Sequence, residues 1–300
     1  MTREEPTSAF VSLGFNNPLS GGDAATGEVI WDAANVFEAQ MLTAHCDKTS
    51  CLNAFNTSFM SSLSYKMIAS QFTEDEWKKM ISPAIRATLN AAGIVRNMAH
   101  AVVYGPAKYQ DLGVLNLFFL QQIIHITTLI TEAVCNSSTG KLLGYSAATF
   151  RVEIGIPFSL TSTPYDEKTF ASYCPPCWYK SLWRFMSKAI YKLDLREEYP
   201  DLQPLRVNDV FLMQSFVDSR FRGANLKSLT FTRKNLEAIT LADIATVDGR
   251  RITQQAFKAI AGNGLRGATT FSKALPRLSP AAILLWQKAI TKSFINLHSG

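Results

Sequence analysis

Apolar residues recur at intervals of three and four along most of this chain, the period of an α-helix buried on one side. Val29, Ile30, Ala33, Phe37, Met41 and Ala44 fall near one face, with Thr26 placed to cap the start. Leu52, Phe55, Phe59, Leu63 and Met67 repeat the pattern and predict a second helix. Thr73 and Glu76 stand at capping-box spacing, so a third helix follows, bent or divided at Pro83 and ended by Gly93. Glycine and proline in "AVVYGPAKYQDLG" predict an ordered loop over 101–113, before an apolar helix over 114–134.

The stretch 143–155 satisfies two patterns. Phe150, Val152 and Ile154 alternate like a strand, while Leu143, Ala147, Phe150 and Ile154 also share a helical face, and the helical reading is preferred. A loop over 157–177 leads into a helix from Trp178 to Leu193, with Leu182, Met186, Ala189, Ile190 and Leu193 on its buried side. After the break "EEYPDLQPLRVND", the remainder reads as at least three helical pieces, the last opened by Ser279 as cap and Pro280 at the first helical position. Only the beginning departs from helix: Phe10–Phe15 reads as a short strand, followed by a loop rich in Asn, Pro, Gly and Ser. The expected fold is mainly α, helical bundles preceded by a short N-terminal β-strand or hairpin, with no internal repeat.

Composition narrows the class. Three hundred residues, 47% hydrophobic and 18% charged, supply a substantial core and exclude a disordered chain. The opening "MTREEPTSAF" has no basic region followed by an apolar one, so no signal peptide is read and an intracellular location, nuclear or cytoplasmic, is expected. The stretch 112–130 approaches membrane-spanning length but carries Asn116, Gln121, Gln122 and His125, which predicts a buried helix and no membrane association. Five cysteines over this length suggest reduced thiols. The glycosylation-type sequences at Asn56 and Asn136 are read as chance matches.

Charge is unevenly placed. Residues 1–200 hold 16 Lys or Arg and 18 Asp or Glu, net −2, whereas residues 201–300 hold 14 and 6, net +8. A basic C-terminal third points to a polyanionic partner.

Cys174-Pro-Pro-Cys177 is the only pair of cysteines two residues apart. A structural zinc needs four ligands, so this is half a site, and the remaining group of His45, Cys46 and Cys51 would have to complete it. A redox role would need the first cysteine at a helix start following a strand, and no such context is present. A stiff turn into the next helix is the preferred reading. That helix carries Lys180, Arg184, Lys188 and Lys192 at four-residue spacing, a cationic row able to follow a phosphate backbone or to serve as an ordinary solvated face. Arg220, Arg222, Arg233, Lys234, Arg250, Arg251, Arg266 and Lys273 add basic groups interleaved with aromatic residues and glycine. His125, on an apolar face, reads as a core histidine with a hydrogen-bond partner, and His100 as a residue beside a turn. No phosphate-loop, nucleophile-elbow or zinc-protease motif occurs, and no carboxylate pair can be assigned acid and base roles.

Taken in order, "SLG" at 12–14, "SSLSYKM" at 61–67, "FTEDEWKKMISPAIRATLNAAGIVRNMAHAVVYGP" at 72–106, "LGVLNLFFLQQIIHITTLI" at 112–130, "LGYSAATFRVEIG" at 143–155, "CWYKSLWRFM" at 177–186, "RVNDVFLMQSF" at 206–216 and "LADIATVDGRRITQQAF" at 241–257 resemble the region that follows the catalytic palm in retroelement reverse transcriptases. The resemblance implies a primer grip at Leu13 and Gly14 within 1–28, thumb-like helices over 29–100, a helical connection over 101–200 and a basic C-terminal region over 201–300. It implies a loop in which Arg96 and Tyr104 face later helices or nucleic acid, and clamping of an RNA/DNA hybrid or DNA duplex by its backbone. The magnesium-binding aspartates of that family lie in the palm, upstream of the Leu-Gly strand. This sequence has no Asp-Asp pair, so no cofactor is expected, and a palm would be supplied by upstream sequence. Where the family pattern has Gly-Gly-Leu-Gly, this chain has Gln110-Asp111-Leu112-Gly113.

Overall fold

The computed structural model describes residues 9–12, 15–18, 23–95, 97–135, 137–157, 163–174, 177–188, 206, 209–260 and 278–298. It is mainly helical and divides into two compact units, 1–128 and 129–300.

In the first unit, β1 (Ala9–Ser12) pairs antiparallel with β2 (Phe15–Pro18), Ala9 opposite Pro18 and Ser12 opposite Phe15. Of the two N-terminal forms expected, strand or hairpin, this is the hairpin, and Phe10–Phe15, read as one strand, takes in parts of both strands. α1 (Ala24–Thr43) starts earlier than its apolar pattern suggests. Thr26 lies buried inside its first turn instead of capping it, and the Asp23 carboxylate accepts the Gln71 amide N–H at 2.9 Å. Asp47 caps α2 (Lys48–Asn53) through the Ser50 N–H. The chain continues through a wider π-helical turn, Ala54–Phe59, into α3 (Met60–Ala69). α4 (Glu74–Ala91) opens on the expected capping box between Thr73 and Glu76 and runs unbroken past the buried Pro83. It closes on Gly93 at φ +70°: the Ile94 N–H reaches the Leu89 carbonyl at 2.8 Å and the Gly93 N–H reaches that of Asn90 at 3.0 Å, a Schellman ending.

The loop expected at 101–113 contains α5 (His100–Tyr104) and a 3₁₀ turn at Ala107–Tyr109. Asn56, read from sequence only as a chance glycosylation match, pins the far side of this loop. Its amide donates to the Gly113 carbonyl at 2.9 Å and accepts the Leu115 N–H at 3.1 Å. Gln110 takes the left-handed φ of 71°, the conformation a glycine would adopt without strain. Asn116 then accepts the Phe118 and Phe119 N–H groups at the start of α6 (Leu117–Cys135).

The core of this unit brings together Ile30, Ala34 and Phe37 of α1, Phe55 and Phe59 of the π turn, Leu63 and Met67 of α3, and Trp77 and Ile81 of α4. A polar seam crosses it. The Trp77 indole donates to Gln121 at 2.6 Å, Gln121 donates to the Phe72 carbonyl at 3.3 Å, and His125 Nε2 lies 2.9 Å from the Met67 carbonyl. These bonds satisfy the Gln121 amide and His125 Nε2, which offsets part of the cost of burying polar groups on so apolar a helix. Among the described residues, no helix is long and apolar enough to cross a membrane.

The second unit contains α7 (Ser138–Ile154), which settles 143–155 as helix; it is capped by Ser137 and ends on Gly155 at φ +73°. α8 (Trp178–Lys188) buries Tyr179, Leu182, Trp183 and Met186, with Tyr179 Oη donating to the Leu143 carbonyl and the Trp183 indole to that of Thr163. The basic third forms α9 (Leu212–Asp218), α10 (Gly223–Asn235), α11 (Leu241–Ile244), α12 (Gln254–Phe257) and α13 (Pro280–His298). Trp286 of α13, fully buried, packs edge-on against Phe216 and donates to the Ala256 carbonyl at 2.8 Å.

Candidate nucleic-acid interface

The cationic row on α8 does not face solvent evenly. The Lys180 side chain is only 14% exposed, lies 3.7 Å from Glu167 and donates to the Cys174 carbonyl. Arg184 meets the same carboxylate at 2.9 Å, donates twice to the Tyr165 hydroxyl and stacks over its ring. Burial together with the Glu167 hydrogen bond pushes the Tyr165 phenol up to about 12. Glu167 thus neutralises part of the charge that the spacing suggested, and both cations help hold the 163–174 loop against α8. Lys188 is exposed. Lys192, Leu13, Gly14, Arg96, Arg266 and Lys273 lie outside the described residues.

Arg233 and Lys234, read from sequence among the basic groups interleaved with aromatic residues and glycine, are buried. The Arg233 guanidinium donates to the Val152 carbonyl at 3.0 Å and the Glu153 carbonyl at 2.7 Å, filling the role of a cap for the last turn of α7. Burial lowers its pKa to about 10, which leaves it charged at neutral pH. Lys234 forms a buried ion pair with the Glu153 carboxylate. A Cβ added at Gly155 would lie 2.6 Å from Arg233 Cζ, so the glycine is required both by its φ and by this approach.

Among the described residues, the arginines singled out from sequence that remain exposed lie in two places. Arg220, at φ 66°, and Arg222 flank the junction of α9 and α10; both are exposed, and Arg222 folds back to donate to the Val217 and Phe221 carbonyls at 2.7 Å. Arg250 and Arg251 project from an exposed turn closed by the Thr246 N–H to the Arg251 carbonyl at 2.8 Å, with Gly249 at φ +70°. Asp248, itself exposed, accepts from the Thr246 hydroxyl and the Arg250 N–H, and those bonds hold its carboxyl below the usual range.

The fold adds a third arginine here that sequence reading did not single out. Exposed Arg206 reaches the carbonyls of Thr246 and Val247 at 3.4 and 3.5 Å. Forty residues separate it from the turn, so no local pattern marks the association. Among the described residues, no carboxylate lies within salt-bridge distance of Arg206, Arg220, Arg222, Arg250 or Arg251.

Cys174 is buried and its thiol is pushed up to about 12; burial raises Cys177 as well. Such thiols are poor nucleophiles at neutral pH. The Cys177 carbonyl accepts the Ser181 N–H at the start of α8, a structural use of the position. Among the described residues, no group of three or more His, Cys, Asp or Glu is arranged to hold a metal ion. Compared with protein-family models, curated proteins and solved structures, the chain matches none.

Proposed function

We propose that the chain binds nucleic acid through the phosphate backbone, without catalysis, as the post-palm region of a retroelement reverse transcriptase would. The observation that carries this reading is the gathering of Arg206, Arg250 and Arg251 at one exposed turn whose single acid, Asp248, is hydrogen-bonded to Thr246 and the Arg250 N–H. Arginine forks match phosphate oxygens, and each neutralised phosphate releases condensed counterions. Arg220 and Arg222 extend the same chemistry, and among the described residues of the α8 row Lys188 is exposed. The ordered run of family-like stretches supports an RNA/DNA hybrid or DNA duplex as ligand, with magnesium and its aspartates supplied by a palm outside this sequence.

The alternative is a helical structural or interaction protein, or an inactive remnant, with no selected ligand. It is favoured by the use of Lys180, Arg184, Arg233 and Lys234 in holding the second unit together. Equilibrium binding of the full chain to an RNA/DNA hybrid and to double-stranded DNA separates the two. Affinity that falls linearly with the logarithm of salt concentration supports the proposal, and absence of binding at low ionic strength supports the alternative.

A further inference from the structure

A groove of about 500 Å³ lies between the start of α1 and the start of α4 in the first unit. Its floor is apolar, formed by Trp31, Phe72 and Met80, and its rim carries Glu28, Asp32 and Glu76 against one cation, Lys79. The groove follows from the helix patterns. Ala24, Glu28 and Trp31 recur on one face of α1, and Glu76 and Met80 lie one turn apart on α4. Gly27 lies against the same lining: a Cβ there would make ordinary contacts, 3.4 Å from Met80 Sδ and 3.5 Å from the Phe72 ring. Trp31 stays 43% exposed, a large aromatic surface open to the groove mouth. Its charge is opposite to that of the basic third, so phosphate would be repelled here.

We propose that this groove docks a basic, partly apolar peptide segment of a partner protein. An aliphatic side chain of that segment would fill the space between Trp31 and Met80, and its arginine or lysine groups would meet Glu28 and Asp32. The choice of occupant rests on charge complementarity: an apolar floor accepts hydrocarbon, a carboxylate rim selects cations, and the indole face adds a cation–π contact. Glu76 already caps α4, which leaves Glu28 and Asp32 as the carboxylates free of an assigned structural duty.

The test is calorimetric titration of the full chain with a synthetic peptide alternating arginine and leucine, beside the same peptide with glutamate in place of arginine. The arginine peptide should bind, more weakly as salt rises, and the glutamate peptide should not. Trp31→Ala, and separately Glu28→Lys with Asp32→Lys, should each weaken binding at least about tenfold, as expected for a central aromatic anchor or a lost charge pair. Asp75→Lys, which reverses a charge outside the groove, should change affinity less than about threefold. The proposal is overturned if the arginine peptide fails to bind at about 1 mM, if both groove variants bind as the wild type does, or if Asp75→Lys weakens binding equally. Self-association abolished by the same groove variants would assign the groove to a second copy and likewise overturn it.

Discussion

Two dibasic sequences, Arg233-Lys234 and Arg250-Arg251, stand 17 residues apart in the same basic third, and the fold puts them to opposite uses. The first pair ends α10 facing the last turn of α7, where unsatisfied carbonyls and the Glu153 carboxylate need donors. The second pair sits on a turn whose own hydrogen bonds are already closed by Thr246 and Asp248, so its guanidinium groups remain in solvent. Net charge per region therefore overstates the charge available to a partner. What decides availability is whether a neighbouring element presents backbone or carboxylate groups to be satisfied.

The largest effect should come from breaking the buried pair. Lys234→Ala leaves Glu153 buried without its cation, and urea unfolding should show a loss of about 3 to 5 kcal/mol. Removing both charges together, with Lys234→Met and Glu153→Leu, should recover most of that loss; equal loss in single and double variants would contradict the assigned pairing.

His125 extends the contrast to a group that the fold buries neutral. Burial lowers it from an ordinary 6.5 to about 4, so above pH 6.5 folding carries no protonation cost. As pH falls through the window from 6.5 to about 4, the unfolded chain takes up a proton that the folded chain refuses, and stability drops by about 3 kcal/mol in total. The pH dependence of unfolding, wild type minus His125→Gln, should show that loss within this window and none above it.

Gly155→Ala presses on the buried arginine from the other side. A left-handed residue with a Cβ against Arg233 should cost about 2 kcal/mol or more in thermal unfolding. Arg250→Glu combined with Arg251→Glu should change stability by no more than about 0.5 kcal/mol, because exposed turn positions carry little of the fold.

Much of the architecture was legible before the structure. The capping box at Thr73, the stop at Gly93, the helix opened by Ser279 and Pro280, and the partnered core histidine at 125 each depend on local chemistry that a short window contains. The misreadings share a different cause. Thr26 has a capping side chain, but α1 extends past it because Asp23 is held by Gln71, a residue 48 positions away. Asn56 looked incidental because its partners, Gly113 and Leu115, lie far along the chain. The α8 row was regular in spacing, yet Glu167 and Tyr165 come back over it from the preceding loop. Arg206 joins the Arg250 turn by the same kind of long-range return. Periodicity reports which face a side chain occupies, and only the tertiary fold reports what stands opposite.

The central claim is that the exposed arginines of the Thr246–Arg251 turn hold phosphates, and the slope of binding affinity against salt measures it most directly. For an RNA/DNA hybrid or DNA duplex, Arg250→Glu with Arg251→Glu should weaken binding at low salt and flatten the slope by about 2, close to one phosphate per arginine. An affinity and slope equal to those of the wild type would contradict the account.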